Sequence, residues 1–202
     1  MGAIVTVWNP TADDPPSKDV QELAAHWSPS SVLDVGCGTG RNLAPFDRPG
    51  CALYGFDRDL DAVKVARSRF ERHKGDAISI WQADLRTYEA EQTFDLVLCY
   101  GVLHFLLRLE RLQAYAKLKS WVAPGGLISV VMFNAVTPIP DDLRSLMPEA
   151  PSDSQEILTA FEEWSIIRHR SYTYEDSHNA GTTRHTHSID RLQARKPTEA
   201  PT

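Results

Sequence analysis

Only three cysteines occur in the 202 residues, Cys37, Cys51 and Cys99. So few, in an odd number, exclude a disulfide framework, and no Cys-x-x-Cys spacing supports a structural metal site. Positive charge is short as well. Lysine and arginine number 21 against 27 aspartates and glutamates, for a net charge of −6. Such a chain is a poor electrostatic match for DNA or RNA. No apolar run approaches the ~20 residues that span a bilayer, and Met1–Pro10 lacks the basic start of a secretory signal. These absences predict a cytoplasmic chain, monomer or homodimer, that meets a small molecule and neither nucleic acid nor membrane. The composition that remains, 42% hydrophobic and 24% charged, is that of an ordinary globular protein. The length suits a single domain with a full core. That domain is assigned to residues 1–196, with an irregular arm over 1–17 and a flexible tail over 197–202.

Short apolar runs recur along the chain. Ser31–Val35, Cys51–Phe56, Ala77–Gln82 and Phe94–Tyr100 are rich in Val, Ile, Leu or aromatics, as strands buried on both faces should be. Helices fit between and around them. Ser17 can cap one that runs to about Trp27, with Val20, Leu23, Ala24 and Trp27 along one stripe. A second is expected to start near Arg41. Asp59 opens a third, which carries Leu60, Val63, Ala66 and Phe70 on one face. The longest runs from about Leu106 to Val122, where Pro124-Gly125-Gly126 breaks it, and Leu127–Phe133 reads as a fifth strand. Alternating strands and helices predict an α/β doubly wound, mostly parallel sheet with right-handed crossovers. The pattern then changes. Residues 134–154, rich in proline, read as a lid-like insertion, and Gln155–Phe161 as a short helix. Trp164–Tyr174 and Thr182–Ala194, joined by a polar turn at Ser177–Gly181, predict a terminal antiparallel hairpin.

Polar residues stand where these strands end. After the first strand comes Asp34-Val35-Gly36-Cys37-Gly38-Thr39-Gly40. Glycines let such a loop turn tightly and bring its backbone close to a ligand. The spacing is Gly-x-Gly-x-Gly, unlike the Gly-x-Gly-x-x-Gly of dinucleotide sites. Asp34 also suits a cationic ligand better than an anionic pyrophosphate. The second strand ends at Asp57, the third at Ala83-Asp84-Leu85, and the fourth at Cys99-Tyr100 with His104 beyond. Each aspartate alone could be a helix cap. Four polar features in register at consecutive carboxyl ends instead mark a ligand crevice, which is where α/β sheets bind.

Together these residues resemble the class I S-adenosylmethionine (SAM)-dependent methyltransferases over roughly Ser31–Phe133. The resemblance implies a Rossmann-like sheet of seven strands in order 3-2-1-4-5-7-6, with strand 7 antiparallel. It implies that Asp34 and the loop with Gly36, Cys37 and Gly38 hold the methionine part of the cofactor, and that Arg41 and Asn42 also belong to the cofactor site. Asp57 with Arg58 would take the ribose, Ala83, Asp84 and Leu85 the adenine, and Tyr100 would offer backbone contacts near the methionine. The continuation Gly40-Arg41-Asn42 and the closing Ala194-Arg195-Lys196 are similar to the tellurite-resistance methyltransferases. In that family a last-strand arginine, matched here by Arg184, is proposed to hold an oxyanion; the histidine-arginine pair before the hairpin turn is only approximated by His178.

The activity expected is methyl transfer to a small-molecule acceptor, including a tellurite- or selenite-type oxyanion or an organic O, N or S nucleophile. Rival readings are a SAM-binding protein that transfers no methyl group, and an NAD-dependent dehydrogenase. Arg184 and a protonatable histidine would position an oxyanion. A hydroxyl or amine acceptor would instead gain from a base, with His104, His178, His185 or His187 as candidates. His185 and His187 share a strand face. No metal is expected there, since no cysteine supports such a site.

Overall fold

The computed structural model describes residues 14–73, 75–147, 149–151, 153–176 and 185–198. Among them the strands form one mixed sheet. Its parallel part comprises β1 (Ser31–Val35), β2 (Ala52–Asp57), β3 (Ala77–Gln82), β4 (Phe94–Tyr100) and β5 (Val122–Asn134). The antiparallel hairpin β6 (Ser165–Asp176) and β7 (His185–Arg195) joins it through β7, giving the order β3-β2-β1-β4-β5-β7-β6. Both the order and the antiparallel last strand match the sequence expectation.

β1 lies in the middle because its apolar side chains have a layer to enter on each face. Leu33 and Val35 join a core with Val97, Cys99, Leu118, Trp121 and Ile128, beneath α3 (Arg108–Trp121). Val32 joins the opposite core with Leu53, Val63, Ala66 and Leu96, beneath α1 (Lys18–His26) and α2 (Leu60–Arg69). Asp59 caps α2, accepting from the amides of Asp61 and Ala62 at 2.8 and 3.4 Å. Ser17 stands at the start of α1 without a side-chain cap bond; its amide donates to Asn42 Oδ1 instead.

The helix expected near Arg41 does not form. The chain makes turns and one 3-10 segment, Ala44–Phe46. Pro45 has no amide proton, and its ring would meet the Arg41 carbonyl in an α-helix. The fifth strand begins five residues earlier than the apolar run suggests. Val122 already pairs with Phe94, and the Pro124-Gly125-Gly126 turn is absorbed as an irregularity before Leu127 pairs with Leu96. The crossover from β3 to β4 contains no helix, and rings close that face. Phe56, Trp81, Tyr88 and Trp121 lie with centroids 4.7–6.3 Å apart.

The lid-like insertion carries α4 (Asp141–Arg144) and leads to α5 (Gln155–Ala160). Its ends meet where the Ala135 amide donates to the Pro151 carbonyl at 2.7 Å, and Leu143 and Met147 are buried. Arg111 of α3 is buried and grips Glu156 of α5 through Nε and Nη2, while Nη1 donates to the Leu106 carbonyl. Removing one member of such a pair strands the other charge. Arg111→Ala should therefore lower the unfolding free energy by about 3 kcal/mol in urea titrations. A loss below about 1 kcal/mol would mean that the pair does not tie α5 to α3.

Candidate cofactor and acceptor site

The chain leaves β1 through three glycines with positive φ, Gly36, Gly38 and Gly40. A Cβ on Gly36 would lie 2.2 Å from Val102 Cγ2, so no other residue fits beneath that side chain. A Cβ on Gly38 would meet nothing within 4 Å, so the loop backbone there borders open space. The loop is anchored to β2. Gly36 and Cys37 donate their amides to the Phe56 carbonyl at 2.8 and 2.9 Å, and Gly38 donates to Asp57 Oδ2 at 2.9 Å.

Asp34 sits beneath this loop. It is 1% exposed, and neither carboxylate oxygen has a hydrogen-bond partner among the described residues. Burial pushes its carboxyl up to about 8; Arg41 opposes the shift and Asp57 adds to it. A buried charge without a partner is expensive, and this one waits for a cation or a donor.

The other strand ends converge on the same crevice. Asp57 Oδ1 accepts from the Asp59 amide at 2.9 Å. Each Asp57 oxygen thus has one backbone donor and a lone pair to spare. The Ala83 amide donates to the Asp57 carbonyl, which aligns the ends of β2 and β3, and Gln82 Nε2 donates to the Arg58 carbonyl. Asp84 is clamped by Arg86, whose Nε lies 3.0 and 3.1 Å from its two oxygens. That side-chain contact holds the Asp84 carboxyl below the usual range. Arg86 was not singled out from sequence, although its i+2 spacing from Asp84 was a readable signal. Leu85 is buried, as is Cys37, whose thiol burial drives well above its ordinary range.

The side chains of three expected contributors make hydrogen bonds elsewhere. Asn42 is turned toward the start of α1, and Arg41 Nη1 donates to the Pro15 carbonyl at 3.4 Å. The Tyr100 hydroxyl donates to Asp19 Oδ2 at 2.6 Å and lies 2.7 Å from Ser129 Oγ. Arg191 completes this chain on Asp19 Oδ1 at 2.8 Å. Tyr100 therefore fastens α1 to the sheet with its side chain, leaving only its backbone at the crevice.

On the acceptor side, His104 is buried in the middle of the 3-10 segment Leu103–Phe105. Its Nδ1 accepts the Phe133 amide at 3.1 Å, which leaves the ring proton on Nε2. Burial, aided by His187 and Arg111, pulls His104 down to about 3. It is a neutral ring, and its one lone pair is already used. His178 and Arg184 lie outside the described residues. His187 and His185 do share a face, with Nε2 atoms 3.0 Å apart. Among the described residues no group of three His, Cys, Asp or Glu side chains could hold a metal ion, and no helix is long and apolar enough to cross a membrane. Two surface cavities, of about 470 and 540 Å³, flank β3, and no residue of the glycine loop lines either.

Comparison with known proteins relates the geometry to a family. Residues 32–126 match the family described as a methyltransferase domain. Over that stretch, a little under half of the chain, the sequence is similar to methyltransferase domains. It is 24% identical over 152 residues to a probable SAM-dependent methyltransferase, TehB, of Haemophilus influenzae, covering 75% of this chain and 51% of that protein. The crystal structure of TehB from Haemophilus influenzae superposes with a TM-score of 0.75 at 20% identity, covering 89% of this chain and 62% of that one. The N-methyltransferase NodS of Bradyrhizobium japonicum, solved with S-adenosylhomocysteine, superposes at 0.66 and 18% identity, covering 92% and 90%. The chain spans about half or less of the length of the curated relatives it first matches.

The buried carboxylate predicts a pH-dependent stability. Asp34 has a folded pKa near 8 against 3.8 as a model carboxyl, so its neutral form is favoured by folding. That contribution is whole below pH 3.8 and is lost as pH rises through about 8. Asp34→Asn, which imitates the neutral acid, should match the wild type in thermal melts at low pH and exceed it by several degrees at about pH 9. Equal melting temperatures at both ends would show that Asp34 is not an uncompensated charge.

Proposed function

We propose that this protein transfers the methyl group of SAM to a small-molecule acceptor. The observation that carries the proposal is Asp34, a buried carboxylate without a partner beneath a glycine loop whose middle glycine borders open space. SAM brings an amino group and a sulfonium, both cationic, to such a place. A dinucleotide would bring a pyrophosphate against the same carboxylate, which argues against the dehydrogenase reading. Asp34 and the Gly36–Gly40 backbone would hold the methionine part. The spare lone pairs of Asp57 suit two ribose hydroxyls, and Asp84, fixed by Arg86, suits an adenine amino group. When bound, the cofactor supplies an activated methyl carbon. The protein supplies alignment and exclusion of water, which are the main requirements of an in-line displacement. The insertion over 134–151, joined at its base and carrying buried Leu143 and Met147, is suited to close the acceptor side.

Two acceptor classes are candidates: an oxyanion of the tellurite type, which the resemblance carried by Gly40-Arg41-Asn42 and Ala194-Arg195-Lys196 implies, and an organic nucleophile. A panel assay of S-adenosylhomocysteine release, with tellurite, selenite, thiols and phenols, separates these. At least one acceptor should be turned over. SAM binding without release of S-adenosylhomocysteine from any member would leave a cofactor-binding protein and contradict methyl transfer.

A further inference from the structure

The crossover from β3 to β4 contains no helix, and a cavity of about 540 Å³ opens on that face of the sheet. Tyr54 of β2, Trp81 of β3 and Tyr88 of the crossover line it, each half-buried, and Phe94 lines it where β4 begins. The rings are held in place by others behind them. Phe56, 1% exposed, lies 5.8 Å from Trp81 and 4.7 Å from Tyr88, and Trp121 lies 5.6 Å from Tyr88. Trp81 and Tyr88 meet at 5.5 Å with 51° between their planes, so they form a corner and not a stack. Tyr54 stands edge-on to Phe94 at 5.2 Å. Charge at this cavity has one sign. Glu89 and Glu91 line it, and no lysine or arginine does. Glu89 is paired with Lys117 at 2.7 Å, an ammonium that also donates to the Arg86 and Tyr88 carbonyls at 3.0 Å. Glu91 is exposed and has no hydrogen bond or ion pair among the described residues. Its charge is felt at the rings: burial and Glu91 together hold the Tyr88 hydroxyl above its usual range.

We propose that this cavity is a second ligand site, for an organic cation that carries an alkylated ammonium group. It stands apart from methyl transfer, since Asp34, Asp57, Asp84 and the glycine loop do not line the cavity. The face of an aromatic ring is negative, so Trp81, Tyr88 and Tyr54 attract a cation placed over them. A metal ion or a bare primary ammonium suits the cavity poorly. Either would have to exchange tightly held water for oxygen ligands or acceptors, and ring faces supply none. An alkylated ammonium has few or no N–H groups to satisfy, and its charge is spread over the surrounding carbons. It lies on apolar rings without losing hydrogen bonds. Glu91 adds a full negative charge in the same cavity, with no cation of the protein to neutralise it. An anion would meet two carboxylates there, and a neutral molecule would gain from the rings but not from the charge.

The probe is choline, compared by calorimetry with the neutral alcohol in which carbon replaces its nitrogen. The full chain is titrated, and Asp34→Asn in parallel, so that a cation in the cofactor crevice is not mistaken for one in the cavity. Choline should bind both proteins alike, and about 10-fold or more tightly than the neutral alcohol. With folding checked by thermal melting, Trp81→Leu should weaken choline about 10-fold, while Trp81→Phe, which keeps a ring, should lose less. Glu91→Gln alters only an exposed side chain. It should weaken choline about 3-fold or more and leave the neutral alcohol unaffected. No binding of choline, equal affinity for the two probes, or an affinity left unchanged by Trp81→Leu and Glu91→Gln would overturn the proposal. So would loss of choline binding in Asp34→Asn, which would place the cation beneath the glycine loop.

Discussion

The structure turns on one electrostatic liability, the Asp34 carboxylate at the carboxyl end of the central strand. Its position follows from the strand itself. Val32, Leu33 and Val35 drive β1 into the middle of the sheet, so any side chain between them is withdrawn from water. A charge there is tolerable only if something compensates it. Arg41 opposes the shift without removing it. The loop that follows is built to admit a partner. Its glycines hold positive φ, its amides are tied to Phe56 and Asp57, and Gly38 faces open space. The liability and the loop are two halves of one device for a cationic ligand.

The far half of the sheet has a different logic. There the hairpin brings polar groups into a buried knot. Asp190 of β7 accepts from Asn134 Nδ2 at 2.7 Å and from Ser154 Oγ, with His169 Nε2 3.1 Å away. These bonds join β5, the segment before α5, β6 and β7 at one point. Full satisfaction of such a buried network gives it a single arrangement. The neighbouring rings of Phe133 and His187 inherit that rigidity, since Ser188 and Asn134 on the adjoining positions are also bonded to each other.

Legibility in the sequence followed the range of the interactions. Asp34, Asp57 and Asp84 could be read because each ends an apolar run, and runs of that kind are local. The hairpin was readable from two extended stretches around a polar turn. The absent helix after Arg41 could also have been read, since Pro45 forbids it on covalent grounds. What could not be read were contacts made by topology. Tyr100 meets Asp19 across 81 residues, and Asn134 meets Asp190 across 56. The stack of His187 on Phe133 depends on the register of β5 against β7, where Phe133 pairs with Ile189. His185 and His187 were legible as sharing a face, but not as touching.

The most direct measurement of the account is the proton balance of SAM binding. A cation placed against Asp34 favours its ionised form, so binding should expel the proton that burial holds there up to about pH 8. Calorimetry at about pH 7, in buffers of different ionisation enthalpy, should show release of about one proton per SAM bound, vanishing at about pH 9 and in Asp34→Asn. Binding heats at about pH 7 that do not depend on the buffer would contradict the claim that Asp34 is the cofactor's counter-ion.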